Sequence, residues 1–218
     1  MFEAIIFDWD GTLADTRQMV AASFQKTLSE VNCTISNEFI ERHIGIGAAE
    51  TFREILRTSR ISFDEALIRR LVEKKIKTQI DLSQSVKLFE GATELLSSLH
   101  GKAKLALASM NNRDVINHIL NRMDARRFFD AILTVDEVRN PKPDPEIFLK
   151  AALKLECQPE KCVIVEDSIF GVKAAKAARM SCIVVLTGVY SREELKKANP
   201  DLIVNSLSEK DTILRFLL

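Results

Sequence analysis

Ala4-Ile5-Ile6-Phe7-Asp8-Trp9-Asp10-Gly11-Thr12-Leu13 sets two carboxylates two residues apart, where a short apolar run breaks into a glycine turn. The run is β-prone and unrelieved by polar residues, as a strand buried on both faces of a parallel sheet should be. Gly11 allows a sharp turn, which puts Asp8 and Asp10 at the carboxyl end of that strand, where open α/β sheets place their ligands. In an extended segment residues two apart point to the same side, so both carboxylates are expected to face one cleft, with Trp9 packing on the other side. Such a pair can bind a divalent cation and divide nucleophile and acid/base work between its members. A strand-end turn with solvated aspartates is the competing reading, and the rest of the chain has to decide.

From Thr16 to about Gln84 the apolar pattern is helical. Met19, Val20, Phe24, Thr27, Leu28 and Val31 recur at helical spacing, as do Phe39, Ile40, His43 and Ile44 after a Ser36 cap. Phe52, Ile55 and Leu56 mark a third helix, and Ser62 with Glu65 fits a capping box opening a fourth through Leu67, Ile68, Leu71 and Ile76. After Val86 strands and helices alternate. Leu105–Ala108, Ala131–Thr134, Cys162–Val165 and Cys182–Val185 read as short buried strands, separated by helical stretches such as Thr93–Leu99, Asp114–Met123, Pro145–Leu155 and Val172–Ala178. The pattern predicts an α/β fold, a Rossmann-like doubly wound parallel sheet with an inserted α-helical cap domain. The core takes residues 1–15 and 85–218, and the cap takes 16–84, inserted over the Asp8/Asp10 end of the sheet.

Composition sets the frame. At 218 residues with 46% apolar and 28% charged side chains, the chain has the make-up of a globular protein with a real core. Its 31 basic and 31 acidic residues cancel, so charge points to neither nucleic acid nor an anionic membrane as partner. Cys33, Cys157, Cys162 and Cys182 lack C-x-x-C spacing and look like small buried thiols, not zinc ligands or disulfides. No apolar run approaches the roughly 20 residues of a membrane span, and Glu3 and Asp8 stand where a leader would be basic and apolar, so a cytoplasmic location is the default. Nothing in the pattern fixes an oligomeric state.

Three other strand ends carry chemistry. Ser109-Met110-Asn111-Asn112 follows the Leu105–Ala108 strand with a hydroxyl, amides and backbone N–H groups at a helix start, an anion seat unless Ser109 or Asn111 simply caps the helix. Asn140-Pro141-Lys142-Pro143-Asp144-Pro145 holds Lys142 between two prolines, which lowers the entropy lost on fixing its ammonium. Glu166-Asp167-Ser168 follows a buried strand directly, with Gly171 and a small-residue helix behind it. Adjacent buried acids are costly unless capped, solvated or bound to a cation, and oxygen donors without a histidine cluster favour Mg²⁺; Asp167 as a helix cap is the alternative.

Together, Asp8-x-Asp10-Gly11-Thr12-Leu13, Ser109, Lys142 within Pro-Lys-Pro-Asp-Pro, and Glu166-Asp167-Ser168-x-x-Gly171 resemble the haloacid dehalogenase superfamily over essentially the whole chain. The resemblance implies that Asp8 is a nucleophile forming an aspartyl-phosphate and that Asp10 protonates the leaving alkoxide, then activates water. It implies Mg²⁺ held by Asp8, the backbone carbonyl of Asp10 and Asp167, with Glu166 direct or through water, while Lys142 and Ser109 stabilise the transferring phosphoryl group. Asn111 joins Ser109 and Lys142 in substrate binding, with Thr16 at the hinge into the cap and Gly45 and Gly47 in a cap loop. The segment Val165–Met180 is similar to the branch containing β-phosphoglucomutase and small sugar-phosphate phosphatases, although Arg179 stands where glycine is common. Mutases of that branch carry a histidine, a lysine and an arginine at positions matching Val20, Ile44 and Ala48 here. The cap loop Ile44–Glu50 looks more like that of phosphoglycolate-phosphatase-like members, so hydrolysis of a small phosphorylated metabolite is expected over phosphomutase activity, with a non-catalytic binding module as a third reading. Arg42 and His43 lie near that loop and are candidates for a substrate's second anionic group, His43 equally for the core. Arg17 reads as solvated, His100 and His118 as structural.

Overall fold

Four consecutive apolar side chains, Ala4 to Phe7, lie wholly buried as β1 (Ala4–Phe7) at the centre of a parallel sheet in the computed structural model, which describes residues 2–217. The chain turns through Gly11, whose φ of +88° only glycine adopts freely, into a short strand β2 (Ala14–Asp15). Four helices follow: α1 (Arg17–Leu28), α2 (Asn37–Arg42), α3 (Ala48–Thr58) and α4 (Glu65–Leu82). The chain returns as β3 (Lys87–Leu88), antiparallel to β2, so the helical insertion leaves and re-enters through one two-stranded stem.

Alternating units complete the sheet: α5 (Ala92–Leu99), β4 (Lys104–Ala108), α6 (Arg113–Arg122), β5 (Ala131–Leu133), α7 (Glu146–Lys154), β6 (Cys162–Glu166), α8 (Ile169–Ala177), β7 (Ser181–Val185), α9 (Arg192–Lys197), β8 (Leu202–Val204) and α10 (Lys210–Leu217). The strand order is β5-β4-β1-β6-β7-β8, all parallel, with Ile5 opposite both Leu105 and Val163. Alternate strand residues feed two apolar clusters. Ile5, Phe7, Leu107 and Val165 pack with α5, α6 and α10, whereas Ile6, Ala106, Ile164 and Val184 pack with α7, α8 and α9. The sheet is therefore doubly wound, and the chain reverses its direction of travel across the sheet at β1, which opens a crevice at the carboxyl ends of β1, β4 and β6.

The first cluster runs on without a break into the insertion through Trp9, Phe24, Phe52, Ile55 and Leu71. Phe24 of α1 and Phe52 of α3 meet at 4.7 Å between ring centroids. Burying a side chain such as Phe52 is worth ~2–3 kcal/mol, so the insertion is anchored by the same burial that holds the core.

Three local expectations change. α4 is capped by Asp64, whose carboxylate accepts from Leu67 N at 2.7 Å, and not by Ser62. α8 is capped by Ser168, whose hydroxyl accepts from Gly171 N at 3.0 Å, and not by Asp167. Neither Ser109 nor Asn111 caps α6; Asp136, from the loop after β5, reaches across to accept from Arg113 N at 2.7 Å. The four cysteines are free thiols, three of them buried and Cys157 half-buried.

Candidate active site

The β1 ladder continues one step past Phe7, Asp8 N donating to Val165 O at 2.9 Å, so Asp8 leaves the sheet at its very edge. The turn beyond is tied to Trp9 O, which accepts from the N–H groups of Thr12, Leu13 and Ala14, and this brings Asp10 back beside Asp8. Both carboxylates line one cavity with Gly45, Gly47 and Asn111, as the alternation along an extended strand requires. Trp9 is wholly buried in the apolar cluster on the other side.

The two acids meet different company. Asp8 accepts from Lys142 Nζ at 2.7 Å, and the same ammonium donates to Glu166 Oε1 at 2.6 Å and to Ala108 O at 3.3 Å. Burial alone would push the Lys142 ammonium down, but Asp8 and Glu166 outweigh it and raise its pKa. Burial pushes the Asp8 carboxyl up to about 8; Lys142 opposes this, and Glu166 and Asp10 add to it. Asp10 instead turns to the end of β4, accepting from Ser109 Oγ at 3.2 Å and from Asn111 Nδ2 at 3.3 Å.

Glu166 lies on a floor of bare backbone. Its Oε2 accepts from the N–H groups of Asp167 and Ser168 at 3.0 Å each and from Ser168 Oγ at 2.9 Å. A Cβ on Gly171 would stand 1.8 Å from its carboxyl carbon, so only glycine fits there. Asp167 accepts from Thr12 Oγ1 at 3.0 Å and is walled by Gly11 and Gly188, where a Cβ would come within 2.4 and 2.1 Å of Oδ2.

Carboxylate oxygens of Asp8, Glu166 and Asp167 lie within 4.8 Å of one another, all buried. Burial next to Glu166 and Asp8 holds the Asp167 carboxyl well above its ordinary range. Three mutually repelling oxygen donors with one compensating ammonium fit a hard divalent cation, whose charge would relieve the crowding. The side chain of Asp10 is not in this cluster.

Of the remaining site residues predicted from sequence, Lys142 and Ser109 are fully buried behind the residues that line the cavity and reach Asp8 and Asp10 by the hydrogen bonds given above. Thr16 lines a neighbouring cavity with Asp167, Gly188, Arg17 and Tyr190, which meets the first at Asp10. Gly45 and Gly47, both at positive φ, carry the loop between α2 and α3 past Ser168 and Met110. The apolar side chains Val20, Ile44 and Ala48 line the main cavity. His43 does so as well, stacked on Phe39 at 4.2 Å with Nδ1 2.7 Å from Phe39 O, so it serves both cavity and packing. Arg42 does not reach the cavity. It pairs with Glu194 of α9 at 2.5 Å and lies over the Tyr190 ring at 4.9 Å, while Tyr190 donates its hydroxyl hydrogen to Arg42 O, clasping the insertion to the core.

Sequence reading missed Lys75. This residue of α4 is buried and lines the main cavity, its Nζ 3.5 Å from Asn111 Oδ1 and 5.3 Å from the Phe24 ring centre. Burial pushes its ammonium down to about 8 against the pull of Asp10. The available signal was its place on the buried stripe of α4 with Ile68, Leu71 and Gln79, obscured by exposed Lys74 and Lys77 on either side.

A doubly wound sheet with paired aspartates at its central strand, a buried lysine and a second acid pair is the arrangement of a hydrolase of one large class. Residues 5–185 match the haloacid dehalogenase-like hydrolases, and the chain belongs to that family. A phosphorylated carbohydrates phosphatase of Thermotoga maritima is 33% identical over 178 residues, 81% of each chain. A hydrolase from Pseudomonas syringae superposes with a TM-score of 0.91 at 26% identity, covering 99% of both chains. A β-phosphoglucomutase from Clostridium difficile superposes with a TM-score of 0.84 at 30% identity, covering 99% of this chain and 100% of that one.

Proposed function

We propose that this enzyme is a Mg²⁺-dependent phosphatase that hydrolyses a small phosphomonoester through an aspartyl-phosphate on Asp8. The observation that carries the reading is the separation of partners between the two acids of one turn: Asp8 with Lys142 and the carboxylate cluster, Asp10 with Ser109 and Asn111. Two carboxylates in unlike surroundings suit unlike roles.

In this mechanism Asp8 attacks phosphorus and the alkoxide leaves on the opposite side. Asp10, oriented by Ser109 and Asn111, gives the alkoxide its proton and then takes one from the water that cleaves the acyl phosphate. Lys142 neutralises charge on the transferring oxygens, helped by the Ser109 hydroxyl, which the Asn111 N–H holds in place by donating to its Oγ at 3.0 Å. Asp8, Asp167 and the Asp10 carbonyl, with Glu166 direct or through water, would hold Mg²⁺, which supplies Lewis-acid screening between anionic nucleophile and anionic substrate. Residues 16–84 serve as the cap that excludes bulk water.

Phosphate release from a panel of phosphorylated metabolites, with Mg²⁺ or with EDTA, tests the reading. Asp8→Asn should abolish release while keeping the fold; release at the parent rate would sink the nucleophile assignment. A phosphomutase is the second reading, favoured by the likeness to the Clostridium difficile enzyme. Val20, Ile44 and Ala48 are uncharged, which leaves Lys75 and the packed His43 as the basic side chains that the insertion brings to the cavity, a sparse set for the second phosphate of a bisphosphate, and this supports water as the acceptor. Sugar-phosphate isomerisation stimulated by a bisphosphate would reverse that preference.

A further inference from the structure

We propose that Thr187 is a positioning residue for the metal site: its hydroxyl pins the glycine turn that walls Asp167 and so keeps the oxygen donors spaced for a divalent cation. The proposal rests on the Mg²⁺ part of the phosphatase reading and deepens it.

Thr187 stands two residues past the end of β7, half-buried. Its position is set from the sheet, because Leu186 N donates to Val204 O at 3.1 Å and extends the pairing of β7 with β8. From this anchor its Oγ1 donates to Gly11 O at 2.6 Å, across 176 positions of sequence. Among the described residues no other group donates to that oxygen.

The contact falls where the catalytic turn is least able to hold itself. Oδ2 of Asp167 is accommodated only because Gly11 and Gly188 lack side chains, and glycine loses more conformational freedom on ordering than any other residue. The peptide that Thr187 grips joins Gly11, which walls Oδ2, to Thr12, whose hydroxyl donates to Asp167 Oδ1 at 3.0 Å. The peptide just before it carries the Asp10 carbonyl. One hydrogen bond from outside the turn thus fixes the surroundings of both Asp167 oxygens and the backbone leading to that carbonyl. Asp8, Glu166 and Asp167 repel one another, so a turn free to move would let the cluster spread. Groups that orient a metal's ligands govern its affinity, and losing one costs about 10–100-fold.

Calorimetric titration with Mg²⁺ alone, at about pH 8 where the ligands shed protons, tests the proposal without turnover. Thr187→Val keeps the shape and loses the hydroxyl; it should raise the Mg²⁺ Kd by about tenfold or more, with a thermal midpoint in EDTA near the parent's. Thr187→Ser, which restores the donor, should stay within about threefold of the parent. An unchanged Kd in the valine variant would overturn the proposal, and a midpoint lowered at the same time would assign Thr187 to the fold alone. Equal rises in Kd for the valine and serine variants would overturn it as well. Thr187→Ala takes the same measurements should the valine variant fold poorly. A parent protein that binds no Mg²⁺ would defeat the metal reading and the proposal with it, a failure visible before any variant is made.

Discussion

The ammonium of Lys142 stands 2.7 Å from Oδ1 of Asp8, and both side chains are shut away from solvent. Removing the cation leaves Asp8 and Glu166 as neighbouring buried acids without their counter-charge. Lys142→Ala is therefore expected to lower stability by about 3–5 kcal/mol, the usual penalty for breaking a buried pair from one side. Urea unfolding in EDTA measures it, and added Mg²⁺ should return part of the loss. A variant as stable as the parent would show that the carboxylates shed their charge without cost.

The cluster also sets a pH dependence. With Asp8 raised to about 8 and Asp167 higher than ordinary, the metal-free folded chain keeps protons that the unfolded chain releases above about pH 4. The unfolded state then binds fewer protons, so metal-free stability falls as pH rises from about 4 through 8. A divalent cation needs its ligands deprotonated, so its affinity rises over the same window. Thermal midpoints in EDTA should decline from about pH 5 to 8, and the increment from Mg²⁺ should grow; a flat profile would contradict the crowding argument.

Glu146 holds the loop that delivers Lys142. Its Oε2 accepts from Arg139 N at 3.0 Å and Asn140 N at 2.9 Å, and Asp144 Oδ1 accepts from Glu146 N at 2.9 Å. Its carboxyl is lowered to about 2, first by the Lys150 hydrogen bond and then by those backbone donors. Glu146→Ala is expected to lower kcat by roughly tenfold through misplacement of Lys142, with little change in the urea midpoint. Glu146→Gln, which keeps an acceptor, should restore most of the rate.

Arg179 follows α8 with φ at +60°, exposed to solvent. A left-handed side chain costs about 1–2 kcal/mol, partly offset by the freedom a glycine adds to the unfolded chain. Arg179→Gly should therefore raise stability by up to about 1 kcal/mol without altering catalysis. Equal melting temperatures would mean that local contacts of Arg179 offset the backbone strain.

Legibility in the sequence followed burial. β1, β4, β5, β6 and β7 are apolar runs bounded by polar residues, and each stands out because its sheet is covered on both faces. β8 escaped notice because Leu202-Ile203-Val204 is a three-residue edge strand, half-buried except at Val204. α9 opens with Ser191 and Glu194 in a capping box, a readable sign in a stretch too polar for periodicity to draw attention to it. The acids and Lys142 were findable because glycine, proline and strand ends mark their places along the chain. Lys75 and the Arg42 clasp were not, because their meaning arises only when the insertion folds back on the core and meets residues far away in sequence. The same holds for the α6 cap, where Asp136 comes from 23 positions beyond Arg113.

The chain has one tryptophan, and it is Trp9, which lies between Asp8 and Asp10 in sequence while its ring is buried in the apolar cluster behind them. Its ultraviolet emission thus arises at a single point of the molecule, next to the carboxylates at which cation and ester would arrive. A change at the neighbouring carboxylates has one indole ring beside it to register the event, so unlabelled protein can be followed by stopped-flow emission as Mg²⁺ or a phosphoester is added.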